Sequence, residues 1–93
     1  MHGLIAKITA QEGERDALID ILLAGTQNMP GCISYVIARD QADDAVIWIT
    51  EVWENKQAHV ASHSLPQVQD SVAKGRPLIA QMAMTAVTEP ANK

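Results

Sequence analysis

The sequence predicts an α+β domain built in the order βαββαβ, and three observations carry the prediction. Segments of two-residue alternation stand near both ends and twice in the middle of the chain. Two intervening stretches repeat apolar residues at three and four positions, the helical spacing. Proline and glycine mark the joints, most clearly at Met29-Pro30-Gly31-Cys32.

The first strand is expected over Gly3 to Thr9, with Leu4, Ala6 and Ile8 on one face and Ile5 and Lys7 on the other. Gln11-Glu12-Gly13-Glu14 breaks the alternation and places acids where a helix dipole is positive. Ala17, Leu18, Ile21, Leu22 and Gly25 then give a helix from about Glu14 to Gln27, with Asp16 and Asp20 on its wet side. After the Pro-Gly turn, a second strand runs from Ile33 to Arg39. Asp40-Gln41-Ala42-Asp43-Asp44 forms a polar hairpin loop, and Ala45 to Trp53 is a third strand rich in β-branched and aromatic residues. Strands joined by so short a loop pair antiparallel.

Asn55 suits the N-cap of a second helical region, in which Ala58, Ala61, Leu65, Val68 and Val72 form a stripe. Pro66 divides that region, with Ser64 expected to cap the second piece, and Gly75-Arg76-Pro77 ends it. Met82 to Thr88 is the last strand and Glu89 to Lys93 a frayed tail. The order is that of the split βαβ, ferredoxin-like unit, a four-stranded antiparallel sheet with both helices on one face. The whole of 1–93 reads as one domain without repeat or linker.

Bulk composition points to a partner. A chain this short buries only roughly 60–65% of the surface its unfolded form exposes. Yet 47% of its residues are apolar and only 19% charged. Strand three is apolar on both sides, with Val46, Trp48 and Val52 on one and Ile47, Ile49 and Trp53 on the other. A half-solvated sheet would alternate with polar residues, so a second subunit is expected to cover the open face.

A net charge of −4 and seven scattered Lys/Arg argue against nucleic acid. No stretch approaches the ~20 apolar residues of a membrane span, and the first residues lack a leader's basic and apolar segments. With Cys32 alone, no internal disulfide forms, which suits a cytoplasmic protein.

Several segments together resemble the antibiotic biosynthesis monooxygenase family. They are Met29-Pro30-Gly31-Cys32-Ile33-Ser34-Tyr35, Trp48-Ile49-Thr50-Glu51-Val52-Trp53, Ala58-His59, Ser64-Leu65-Pro66 and Arg76-Pro77-Leu78-Ile79-Ala80. The resemblance spans nearly the whole chain and implies a homodimeric α+β barrel. It implies one of several activities: oxygenation of quinols or anthrones by O2 without metal or flavin, haem degradation, or isomerisation of a small phosphorylated sugar. Haem-degrading relatives carry an Asn in strand one and a Trp and an iron-binding His in the second helical region. Strand one here has no Asn, and the corresponding helical positions hold Ser62 and Val72. Many relatives have a histidine nine residues after the strand-end Trp, which here is Ser62. One branch has it six after, which is His59.

Among candidate chemical groups, His59 and His63 are four apart, as in half a zinc site, but no third ligand is evident and no metal is expected. At helical spacing both histidines are expected to point away from the Ala58-Leu65-Val72 stripe. The resemblance to that branch makes His59 the preferred proton carrier over His63, a role that an imidazole titrating near neutrality suits. Glu51 shares a strand face with Ile47, Ile49 and Trp53, where a carboxylate needs a partner, and it is the candidate acid or orienting group. Tyr35 is a candidate hydrogen-bond donor to a substrate oxygen. Trp53, Trp48, His63 and Arg76 are candidate substrate contacts, the tryptophans as flat walls and Arg76 for an anionic oxygen. The expected function is a cofactor-independent monooxygenase taking O2 and a small quinol- or anthrone-like aromatic. An isomerase or lyase on a small oxygenated metabolite and a non-catalytic small-molecule-binding dimer are the alternatives.

Overall fold

A computed structural model describes residues 1–92. The elements are β1 (His2–Ala10), α1 (Arg15–Gly25), β2 (Cys32–Arg39), β3 (Val46–Trp53), α2 (Lys56–Ser62), α3 (Pro66–Gly75), a 3₁₀ turn (Arg76–Leu78) and β4 (Ile79–Thr88). The sheet is antiparallel throughout, in the order β2-β3-β1-β4. This is the expected βαββαβ arrangement, with the second helical region in two pieces.

The alternation of β1 holds: Leu4, Ala6, Ile8 and Ala10 are buried beneath the helices. Ala6, Ile8 and Ala10 meet Ile47 and Ile49 of β3 and Leu18 and Ile19 of α1 in the main core. A smaller cluster at the other end of the sheet joins Leu4, Met29 and Trp53. Trp53, Ile8, Leu18 and Ile47 are the largest side chains with no significant exposure. Truncating any of them to alanine removes contacts worth about 2–5 kcal/mol. On the opposite face Trp48 and Val52 are half-buried and Thr50 is exposed.

Three of the boundaries that differ from expectation have a clear local reason. Helix α1 stops at Gly25 because Thr26 Oγ1 and Gln27 Nε2 donate to the carbonyls of Leu22 and Leu23, and Asn28 turns to φ 53°. The N-cap of α3 is Leu65, not Ser64; its first turn is fixed by Pro66, and no side chain caps it. Ser64 instead continues the α2 turn, donating its N–H to Ala61. Strand β4 begins at Ile79 rather than Met82, since Ala10 of β1 already pairs with Ile79. Of the expected frayed tail, Glu89 to Asn92 has no regular structure and Lys93 lies outside the described residues.

Candidate functional site

Cross-strand register assembles the floor of the site. At one end of the sheet, His2 of β1 and Cys32 of β2 both stand opposite Trp53 of β3. In the next row on that face, Leu4 and Tyr35 flank Glu51. Helix α2 roofs these rows because its start is pinned close to the strand end. The Asn55 side chain accepts from the N–H of Ala58 at 2.8 Å, and Glu54 N–H donates to the Gly31 carbonyl at 2.9 Å. Gly31, at φ 77°, lets the β2 turn pass directly beneath Ala58.

The roof places His59 over the floor. Its ring centroid is 5.5 Å from Trp53, 5.7 Å from His2 and 4.8 Å from His63, the last in an edge-to-face arrangement. His59 Nε2 stands 3.8 Å from Glu51 Oε1. The same carboxylate oxygen accepts the indole N–H of Trp53 at 2.9 Å in the buried interior. The expectation that both histidines point away from the packed stripe is therefore corrected for His59. Helix α2 ends at Ser62, so the stripe is not continuous, and the short helix turns Ala58, His59 and Ser62 inward. His63, at the helix end, is exposed.

Burial drives the protonation of this cluster toward neutral species. It raises the Glu51 pKa, against the opposing pull of the Trp53 hydrogen bond and of the charges on His63 and His2. Burial lowers the pKa of His59, and the neighbouring His63 and His2 lower it further. At neutral pH His59 is thus a free imidazole base, facing a carboxylate whose proton affinity burial has raised. Tyr35 is pushed well above its ordinary value by burial and then by Glu51, so its hydroxyl stays a donor. The Cys32 thiol is pushed up by burial and by Glu51, which makes it a poor nucleophile. The three imidazoles pack on one another, and no group of three or more His, Cys, Asp or Glu among the described residues is placed to hold a metal ion.

The fold brings together His59, Glu51, Tyr35, Trp53 and His63. It does not bring Trp48 with them. That side chain is on the opposite sheet face, where its Nε1 donates to Asp40 at 2.8 Å and Lys7 Nζ lies 5.8 Å from its ring centroid. Trp53 is fully buried and presents no free face. Arg76 stands apart from the cluster, on a groove of about 410 Å³ that His63 shares. His2 escapes a motif-based search, but strand parity points to it, since it precedes Leu4 by two.

Comparison with known proteins agrees with this architecture. The sequence profile of the antibiotic biosynthesis monooxygenases matches residues 1–74. The chain belongs to the antibiotic biosynthesis monooxygenase family. It is 53% identical to a protein of Chloroflexus aurantiacus provisionally assigned to the same family, over 99% of this chain and 94% of that one, with a TM-score of 0.92. Two further proteins with that provisional assignment share the fold. One, from Nitrosomonas europaea, is 10% identical over 99% of this chain and all of its own, with a TM-score of 0.90. The other, from Deinococcus radiodurans, is 23% identical over 100% of this chain and 95% of its own, with a TM-score of 0.83. No curated protein matches the sequence. The β4 segment beyond residue 74 lies outside the family profile yet completes the same sheet.

Proposed function

We propose that this member of the antibiotic biosynthesis monooxygenase family is a cofactor-independent oxygenase of quinol- or anthrone-like aromatics. The observation that carries the reading is the pairing of a neutral, half-buried His59 with Glu51 beside Trp53. Chemistry of this kind asks little of the protein. His59 takes a proton from the substrate hydroxyl or its acidic carbon, and Glu51 balances the imidazolium that forms. The electron-rich anion passes one electron to O2, and the radical pair combines to form a carbon–oxygen bond. The resulting hydroperoxide breaks its O–O bond and loses water. An anthrone plus O2 thereby gives an anthraquinone plus H2O, with one oxygen atom in each product. Tyr35, held protonated, donates to the oxygen on which charge develops.

The same proton-transfer pair would serve an isomerase, and O2 uptake separates the two. With isotopically labelled O2 and an anthrone, the product quinone is expected to gain a single labelled atom at a rate above the enzyme-free control. Label arriving from water instead, or a rate equal to autoxidation, removes the oxygenase reading. The working unit is proposed to be a homodimer in which the open sheet face, bearing Trp48, Val52 and Val36, meets its copy.

A further inference from the structure

The groove beside the histidine cluster has a chemistry of its own. It is an open depression of about 410 Å³ lined by His63, Val68, Gln69, Val72, Ala73 and Arg76, of which only Val68 is half-buried, and it is long enough to lay a bicyclic aromatic along its floor. Val68, Val72 and Arg76 follow one another at four-residue steps, so the floor runs along α3 and its continuation for roughly 12 Å at 1.5 Å per residue. At one end His63 touches His59, with ring centroids 4.8 Å apart. At the other end stands Arg76.

The charges around this groove are uneven. The chain carries 11 acidic residues and a net charge of −4, yet no carboxylate lines the groove. Of the three arginines, Arg15 is tied to the carbonyls of Asp40, Asp43 and Val46, and Arg39 is paired with Asp16. The Arg76 side chain makes no hydrogen bond or ion pair within the described residues, and its backbone N–H alone closes α3, on Val72. Nor does Arg76 cap the preceding helix through its guanidinium. An apolar floor that ends in a free guanidinium is complementary to a flat apolar molecule bearing a carboxylate.

We propose that the groove is an anion-anchoring subsite and that the substrate is an aromatic acid. The ring lies over Val68 and Val72, the carboxylate pairs with Arg76, and the hydroxylated end is turned to His63 and His59. This assignment rests on the oxygenase reading for what happens at His59, but binding to the groove does not require turnover.

The test uses ligands that cannot be oxidised. Titrations of the full chain with 1-naphthoate and with the neutral 1-naphthamide are followed by NMR through the Val68 and Val72 methyls and the His63 ring proton. At low salt the acid should bind about fivefold or more tightly than the amide, as expected for one partly solvated guanidinium–carboxylate pair. The preference should vanish in Arg76→Gln and persist in Arg76→Lys at reduced strength. Equal binding of the two ligands by the native chain, a preference that survives Arg76→Gln, or shifts confined to other surfaces would overturn the subsite. Preferential binding of naphthoate in a protein that oxidises no quinol would leave the subsite standing and remove the oxygenase reading. Oxidation of neutral quinols with no preference for naphthoate would do the reverse.

Discussion

His59 stands 3.8 Å from Glu51, Nε2 to Oε1, and the oxygen it faces is the one that already accepts the Trp53 indole N–H. The distance is too long for a hydrogen bond. The carboxylate is therefore anchored by the buried tryptophan and leaves the imidazole free to take a proton. Glu51 thus has a structural task, holding the Trp53 indole, and in the proposed mechanism a separable electrostatic one.

Substitution should separate them. In Glu51→Gln the amide oxygen still accepts from Trp53, and stability should change by less than about 1 kcal/mol. In Glu51→Ala the buried indole N–H loses its acceptor at a cost of about 1–3 kcal/mol, before any cavity penalty. Urea unfolding of the two variants measures the difference. Both should lower kcat, since neither can balance an imidazolium. Equal destabilisation by Gln and Ala would mean that the hydrogen bond is not what Glu51 contributes to the fold.

The lowered pKa of His59 gives stability a definite pH dependence. Between its folded value and the ordinary 6.5, the unfolded chain binds more protons at this site than the folded one. Stability from this group is therefore complete above 6.5 and is lost as pH falls through that window. Glu51, whose folded pKa is raised above 4.5, acts in the opposite sense and loses stability as pH rises through its own window. Between pH 7 and pH 5 the unfolding free energy of the native chain should lose ground relative to that of His59→Gln, since the Glu51 contribution is common to both. Parallel curves would show that His59 is not buried as described.

The turn below α2 offers a matched pair of substitutions. Gly31 and Gly13 have nearly the same φ, 77° and 76°. A Cβ on Gly31 would lie 2.5 Å from the Ala58 Cβ, whereas one on Gly13 would meet nothing within 4 Å. Gly13→Ala should cost about 1–2 kcal/mol, the penalty of a left-handed alanine. Gly31→Ala should cost more and should also depress activity, because Ala58 adjoins His59. Thermal unfolding beside turnover checks both; equal costs would mean that α2 gives way freely.

Much of this arrangement was legible in the residues. Alternation in β1 and β3 assigned the core face, including Glu51 beside Trp53, and parity separates Trp48 from Trp53, so the two could never have lined one cavity. Asn55 and the Pro30-Gly31 turn marked the joints that place α2. The inward rotation of His59 was not legible, because it depends on α2 ending after two turns, and the apolar stripe continues past that break. The Trp53–Glu51 hydrogen bond was also hidden. Residues two apart on a strand share a face, but which side chain satisfies a buried carboxylate depends on rotamers that packing selects.

The open sheet face should be an interface between two copies. Val36, 52% exposed and opposite Thr50, shares that face with the half-buried Trp48 and Val52. Light scattering at tens of micromolar should give a dimer, burying well above the roughly 1,000 Å² of a specific interface. Val36→Asp should shift the species toward monomer without unfolding it. A monomeric native chain would contradict the expectation.

Oxygen uptake by histidine variants tests the central claim most directly. An oxygen electrode, with NADH and added metal absent and autoxidation subtracted, should record uptake by the native chain on reduced quinones or anthrones. His59→Ala should lower kcat by about 10²–10⁴, as removal of a general base does. Tyr35→Phe should cost roughly 1.5–3 kcal/mol in the barrier. His63→Ala should fall far short of His59→Ala, because His63 is exposed and acts on Glu51 only through its charge. A His59→Ala rate equal to that of the native chain would remove His59 from the reaction and, with it, this account of the site.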